Sequence, residues 1–284
     1  MIIKSFTRPN IVVNDRIKSN VVLITKSYIP IDIIAWVDHY LNYCGFDNVT
    51  IFDNNTTCCN IAEIFKDNPR VKVYFIPDEN KPHNMQQITY NVMVSENAKY
   101  DYQFFCDDDE YLWFNKNKWP DINTFLMTIA KKNIAAFAVP MILISYEDGK
   151  HPEIRTKSMI EDCLYVKPEY YDGVGTVCKS FIHKSLKDSN PVWLVPHYIS
   201  NVTFFEDGHS VDFRVSRDWL QNFKYCDCDI KLFHYYYRSL SEWNEKLNRR
   251  RIDTKDLYKD NPTIGNADYI KNGYTVYLNP FNKK

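Results

Sequence analysis

Five short apolar runs, rich in β-branched and aromatic residues, recur between Asn20 and Ser145 and are separated by stretches of helical periodicity. They are NVVLITKS (20–27), NVTIFDNN (48–55), VKVYFIP (71–77), YQFFCD (102–107) and IAAFAVPMILIS (134–145). Runs of this kind are strands covered on both faces, and strands alternating with amphipathic helices build an α/β fold with a parallel sheet. In the first intervening stretch Ile33, Ile34, Val37, Tyr40 and Leu41 form a stripe at helical spacing, and Gly45 is placed to end it. Another helix is expected at WPDINTFL, where Asp121 can cap the free amides and Ile122, Phe125, Leu126 and Ile129 make the buried face. After about Ser145 the alternation is lost, with Pro152, Pro168, Pro191 and Pro196 as punctuation. It returns at DIKLFHYYYRSLSEWNEKLNRRRID as a strand and a helix, in which Ser239 and Glu242 have capping-box spacing and Leu240, Trp243 and Leu247 make a stripe. The tail from Lys255 reads as irregular. A single domain over 1–284 is expected, with a nucleotide-binding half at about 20–145, a looser second half at about 146–254 and the tail at 255–284.

Charge and composition remove several function classes. The chain of 284 residues carries a formal net charge of −1, and its sharpest basic cluster, Arg249 to Arg251, is followed at once by Ile252 and Asp253. Nucleic acid is therefore not an expected partner. No stretch approaches the roughly 18 apolar residues of a membrane span, and the N-terminus lacks a signal-peptide core, so a cytoplasmic protein is expected. The eight cysteines are scattered and never form a CxxC pair, which predicts reduced, structural thiols.

One passage sets charge against burial. YQFFCDDDEYLWF (102–114) puts Asp107, Asp108, Asp109 and Glu110 at the end of an apolar strand. Adjacent carboxylates removed from water need a cation or hydrogen bonds to compensate them. If the chain stays extended past Cys106, Asp107 and Asp109 point to one face and Asp108 and Glu110 to the other. Such a pair suits one hard cation, with diphosphate oxygens completing its shell. A solvated acidic turn is the plain alternative, and the buried flanks FF and YLWF weigh against it. Asp53 closes a second strand, VTIFD, and ligands of open parallel sheets gather at such strand ends.

The segment FCDDDEYL resembles the DxDEF element of glycosyltransferase family 92 and related family 2-like enzymes, which have the GT-A fold and use a nucleotide sugar with Mn2+. Three further pieces are similar in the same order. WVDHYLNYCGFDNVTIFDNNTT (36–57) resembles the family's W-x-x-(Y/H)-H stretch and its Y-D-N-x-S end; QITYN (87–91) resembles Q-x-x-x-Y-N; FHYYYRSLSEWNEK (233–246) resembles H-Y-x-x-K-S-x-x-E-F-x-x-K. Together they run from about Val21 to Arg251. The chain departs where the family has K-N-E after the first strand, since it reads KSY from Lys26 to Tyr28, and where the family has Glu before the Trp, since it has Ala35. Animal members carry an N-terminal membrane anchor that this sequence does not show, which fits a microbial or viral enzyme.

The resemblance implies a GT-A domain, mostly parallel and Rossmann-like, whose C-terminal half faces the acceptor. It implies a hexosyltransferase that takes a UDP-sugar, galactose being the family's suggestion, and moves the sugar to a glycan hydroxyl with inversion. It makes Asp109 the direct metal ligand, puts Asp107 on the ribose hydroxyls or the metal's water shell, and makes His234 a third ligand. An imidazole among oxygens tilts selectivity from Mg2+ toward Mn2+. Asp53 would take the uracil or ribose, or else be a turn residue, and Lys26 stands on the donor side. Lys179, Arg238 and Lys246 are cations that can face phosphate, although each alone reads as a solvated side chain. Inversion needs a carboxylate base. Glu206, Asp207 and Asp212 are the candidates, with Glu147 and Asp148 behind them, and His197 is either an acceptor residue or a core histidine. Two rival classes stand beside this reading: a silent nucleotide- or glycan-binding module of the same fold, and a metal-dependent nuclease.

Overall fold

The computed structural model describes residues 11–13, 15–27, 29–77, 85–96, 99–167, 178–187, 193–195, 198–199, 203–204, 210–211, 228–236, 238–248, 274–278 and 280–281. The five apolar runs are strands: β1 (Ser19–Thr25), β2 (Asn48–Asp53), β3 (Val71–Phe75), β4 (Tyr102–Cys106) and, after β5 (Glu110–Phe114), β6 (Ala136–Ser145). The later strands are β7 (Tyr165–Val166), β8 (Cys178–His183), β9 (Trp193–Val195), β10 (Tyr198–Ile199), β11 (Thr203–Phe204), β12 (Ser210–Val211), β13 (Ile230–His234) and β14 (Val276–Tyr277). Between them lie α1 (Pro30–Asp38), α2 (Ile61–Ile64), α3 (Met85–Glu96), α4 (Ile122–Lys131), α5 (Met159–Asp162) and α6 (Leu240–Asn248).

The main sheet runs β12-β11-β6-β8-β4-β1-β2-β3. Its N-terminal part is parallel: β1 pairs with β2 and β4, and β2 with β3. The remainder is mixed, because β8 runs antiparallel between β4 and β6. That strand comes from the loop-rich region, and every one of its residues is buried. Its sequence, CKSFIH, puts Lys, Ser and His among apolar residues, so neither a continuous apolar run nor an alternation announces it. Phe181 on β8 stacks on Phe104 of β4 at 4.4 Å and meets Phe125 of α4 at 5.7 Å, which joins the two halves through one aromatic layer. The tail expected to be irregular contributes β14, which pairs with β7, and β7 in turn pairs with β6.

The helix signals hold with local changes. Pro30 opens α1, where its missing N–H costs nothing. The helix then widens into a π-helical stretch, His39–Cys44, and ends at Gly45, whose φ of 84° suits a residue without a Cβ. Ile33, Trp36, Val37, Tyr40 and Leu41 are buried, whereas Ile34 of the expected stripe is 47% exposed. The inward face centres on Trp36, and Ile34 lies round the helix from it. Asp121 caps α4 by accepting from the Thr124 amide at 2.8 Å, and Ile122, Phe125, Leu126 and Ile129 are buried as the pattern requires. Cys44, Cys106, Cys163 and Cys178 are buried free thiols. Among the described residues no helix is long and apolar enough to cross a membrane.

Candidate metal centre

At the carboxyl end of β4 the chain turns instead of continuing extended. The Glu110 amide donates to the Asp107 carbonyl at 3.2 Å, and the Glu110 carboxylate accepts from the Asp107 amide at 2.8 Å. This closes a tight turn over Asp107–Glu110 and starts β5. The expectation that alternate acids share a face therefore gives way to a turn that sends each side chain in its own direction. Three residues of the π-widened helix hold that turn in place. Trp36 donates its indole N–H to the carbonyls of Asp107 and Glu110, both at 3.1 Å, and the Tyr40 hydroxyl donates to the Glu110 carbonyl at 3.0 Å. His39 contacts the Leu112 carbonyl at 2.8 Å through Nε2. The tryptophan, histidine and tyrosine of the WVDHY stretch thus act as one brace.

Asp107 and Asp108 are engaged by groups of the protein itself. Asp107 accepts from the Lys179 ammonium at 2.9 Å and from the Gln86 amide at 2.6 Å. Lys179 is wholly buried on β8, and burial works against its charge, yet the Asp107 and Glu110 carboxylates hold its pKa well above the usual lysine value. Asp108 accepts from the Thr25 hydroxyl at 2.6 Å and from Arg238 at 3.2 Å. Thr25 ends β1 and stands in register with Asp53 on β2, so the two acidic strand ends share one edge of the sheet. Asp53 itself makes a turn contact there, its carboxylate accepting from the Thr56 amide at 2.8 Å. Lys26 follows β1 directly at the same edge and is half-buried.

Asp109 and Glu110 meet His234 instead. β13 pairs antiparallel with β5, with His234 opposite Glu110, and the Tyr235 amide donates to the Asp109 carbonyl at 2.8 Å. His234 Nε2 comes to 3.3 Å from Asp109 Oδ1, and one donor atom from each of Asp109, Glu110 and His234 lies within 4.8 Å of the others. Two donors on one small divalent ion stand roughly 3 Å apart, so these three residues can share a cation. Nδ1 of His234 faces the Met141 sulfur at 3.0 Å, and Nε2 faces the acids. Burial would raise the Asp109 carboxyl, but the His234 ring and the Arg238 guanidinium, 3.0 Å away, override it and hold the group well below the usual carboxylate range.

Glu110 supplies the test of fit. Its residue is fully buried, and Oε2 is used by the Asp107 amide with Lys179 3.6 Å away. Oε1 is buried with no hydrogen-bond partner among the described residues. Burial pushes this carboxyl well above its usual range, and the charges of Asp107 and Asp109 add to the shift while Lys179 offsets part of it. A bare buried carboxylate oxygen beside a second carboxylate and an imidazole calls for a positive charge, and the donor set fits a divalent metal ion.

A second charged layer lies behind the centre. Arg155, wholly buried, donates to Glu242 at 2.8 and 2.6 Å and to Asp32 at 3.0 Å, with a further close contact to Asp32. Glu242 also closes the cap of α6, accepting from the Ser239 hydroxyl at 2.6 Å, and lies 3.9 Å from Arg238. Asp32 on α1, Arg155, Glu242, Arg238 and Asp109 form one chain of charges from the first helix to the centre.

Sequence reading placed Asp107 among the ligands and passed over Glu110, whose position in an expected turn-free segment faced it away from Asp109. It also started the QITYN match at Gln87, whereas the residue that contacts Asp107, and the Tyr90 hydroxyl at 2.8 Å, is Gln86. Counting back from Tyr90 and Asn91 with the family's spacing reaches Gln86, so that signal was present. Asp32 and Arg155 left none, being 123 residues apart. Lys246 lies over the Tyr236 ring at 3.7 Å, and Glu147 pairs with Lys150 at 2.7 Å. Asp148 binds the Tyr274 amide at 2.9 Å. Glu206, Asp207, Asp212 and His197 lie outside the described residues.

The structure thus defines a mixed α/β sheet with parallel N-terminal strands and a buried acidic-histidine group at their carboxyl edge. No family model matches the chain, and no curated protein matches it in sequence. Among solved structures, S. aureus TarS 1–349 in complex with UDP matches at 15% identity and a TM-score of 0.36, covering 62% of this chain and 49% of that one. This chain thus spans about half the length of that structure. HddC from Yersinia pseudotuberculosis matches at 11% identity and a TM-score of 0.31, covering 70% of this chain and 96% of that one. Likenesses this low carry no argument about chemistry, which rests on the side chains described above.

Proposed function

We propose that the chain is a metal-dependent glycosyltransferase that moves a hexose from a UDP-sugar to a glycan hydroxyl with inversion, galactose being the hexose the family resemblance suggests. The observation that carries this reading is the bare Glu110 oxygen beside Asp109 and His234, at the strand edge where parallel sheets bind their ligands. The four ordered motif resemblances support the choice of a nucleotide sugar over other anions.

Asp109, Glu110 and His234 would hold the ion, Mn2+ by preference for the nitrogen donor and Mg2+ as the alternative. When bound, it would supply Lewis-acid stabilisation of the charge that builds on the leaving diphosphate. The protein's own groups do the rest. Lys179 and Gln86 keep Asp107 oriented, and Thr25 and Arg238 keep Asp108 oriented, which leaves Asp109 and Glu110 for the ion. Asp53, one strand away, is assigned to the uracil or ribose, Lys26 to the donor side and His197 to the acceptor. The base that takes the acceptor proton is sought among Glu206, Asp207 and Asp212.

The test is UDP release from a set of UDP-hexoses, with Mn2+ and with EDTA. Release that needs Mn2+, together with its loss by orders of magnitude in a folded Asp109→Asn variant, is the expected result, because metal charge stabilisation is worth several kcal/mol. A folded Asp109→Asn protein with wild-type turnover would contradict the assignment. UDP binding without release from any UDP-hexose would leave a nucleotide-binding module of the same fold.

A further inference from the structure

The amino-terminal ends of the same strands carry the opposite charge. Lys18 precedes β1, Asn48 opens β2, Arg70 precedes β3 and Lys72 lies within it, and Lys99 stands just before β4. With Arg16, Asp47 and Tyr100 these residues line an open cleft of about 450 Å³. It holds five cationic side chains and one carboxylate. That carboxylate is already committed, since Asp47 accepts from Arg16 at 2.5 Å and from the Ser19 amide at 2.9 Å. Arg70 is oriented by neutral groups, donating to the Leu41 carbonyl at 3.5 Å and to the Asn42 side chain at 3.1 Å, and among the described residues no carboxylate pairs with it.

Lys72 and Lys99 line the same cleft although β3 and β4 are three places apart in the sheet. Strand spacing puts those two ends roughly 14 Å from each other, so the side chains converge over the ends of β1 and β2. The neighbouring Lys72 charge and a small desolvation hold the Lys99 ammonium below the usual lysine pKa. Like charges brought together raise the free energy of the cleft, and an anion bridging them lowers it.

We infer that this cleft binds a compact anion carrying two or more phosphate groups, at the opposite end of the sheet from the acidic centre. A chain of phosphates offers several negative charges in a volume of this size, and Arg70 and Arg16 supply guanidinium donors suited to phosphate oxygens. An anionic lipid headgroup has the same chemistry but belongs to a flat surface, which a concave cleft walled by the buried Tyr100 does not match. The ligand is therefore a soluble polyphosphate or phosphate ester. This inference does not depend on the proposed transfer reaction.

The experiment is calorimetric titration of the full chain with inorganic tripolyphosphate in EDTA, where the carboxylates at the other end repel the probe. Wild type should bind one equivalent, less tightly as salt is raised. Lys72→Gln/Lys99→Gln should bind at least about tenfold less tightly, as loss of charge-assisted contacts requires. Arg70→Gln, which keeps both lysines, should show a loss in the same direction. Without ligand the double variant should melt no lower than wild type, because a repulsive pair has been removed. Lys66→Gln/Lys150→Gln, which removes two exposed charges elsewhere, should bind as wild type does. Vesicles of phosphatidylcholine with phosphatidylserine should not retain the protein. Equal tripolyphosphate binding by wild type and Lys72→Gln/Lys99→Gln would overturn the inference. So would an equal loss in the Lys66→Gln/Lys150→Gln control, or binding to anionic vesicles with none to tripolyphosphate.

Discussion

Asp107 and Glu110 stand three residues apart, share one lysine and serve opposite ends. Asp107 is satisfied by Lys179 and Gln86, whereas Glu110 keeps one oxygen bare in a fully buried position. The consequence for Glu110→Gln is specific. The carboxyl is held well above its usual range by burial, so at neutral pH its ionised form costs the folded state stability and the neutral amide removes that cost. We expect the metal-free variant to melt at or above the wild-type temperature while its gain on adding Mn2+ and UDP is lost; scanning calorimetry with and without the ligands measures both. A lower metal-free melting temperature with the full ligand gain would make Glu110 a structural residue. Composition and flanks made the acidic run legible as a compensated cluster. Which acid faces which cation was not, because that depends on a turn sealed by Trp36 and Tyr40 from about seventy residues earlier.

At the scale of elements, the β13–α6 segment and the brace formed by α1 position the centre, and a single arginine joins them. Arg155 comes from the loop between β6 and α5, yet it binds Asp32 on α1 and Glu242 on α6 with almost no exposure of any of the three. Removing one partner of such a group strands the others in low dielectric. Arg155→Met is expected to cost about 3–5 kcal/mol in urea unfolding, far above the scale of an exposed pair. It should also loosen Arg238 and with it Asp109, so weaker Mn2+ binding by the still-folded fraction is the companion result. A loss below about 1 kcal/mol would mean that the three charges are not coupled. The strands and the caps of α4 and α6 were readable, since period, Asp121 and the Ser239–Glu242 spacing are local signals. β8 was not, because a buried strand that carries Lys179 to a distant acid looks polar in sequence.

Across the whole molecule the sheet separates charge, with the acidic centre at the carboxyl ends of β1, β2 and β4 and the basic cleft at their amino ends. Two buried groups, Glu242 and His183, weaken the fold in acid. Burial would raise Glu242, but its bonds from Arg155 and the charge of Arg238 prevail and bring it from 4.5 down to about 2. Its contribution is complete above the unfolded value and is lost as pH falls through the folded one. Burial lowers His183 from 6.5 to about 4, so the folded state prefers the neutral ring, and that contribution too is lost as pH falls from 6.5 through 4. Each is on the order of 3 kcal/mol. In Glu110→Gln, which lacks the opposing titration of that raised carboxyl, urea midpoints should therefore decline from pH 6.5 toward pH 4 and fall further toward pH 2; a midpoint flat across that range would contradict both assignments.

The parallel half of the fold was legible because it is built from local runs, while the metal centre draws on β4, β5 and β13 and exists only once the sheet has formed. Its direct test is metal titration in the presence of UDP, comparing wild type with His234→Ala for Mn2+ and for Mg2+. A nitrogen donor favours the softer ion, so the variant should lose about tenfold or more in Mn2+ affinity and clearly less for Mg2+. Identical Mn2+ and Mg2+ affinities in the two proteins would make His234 a structural histidine and contradict a centre shared by Asp109, Glu110 and His234.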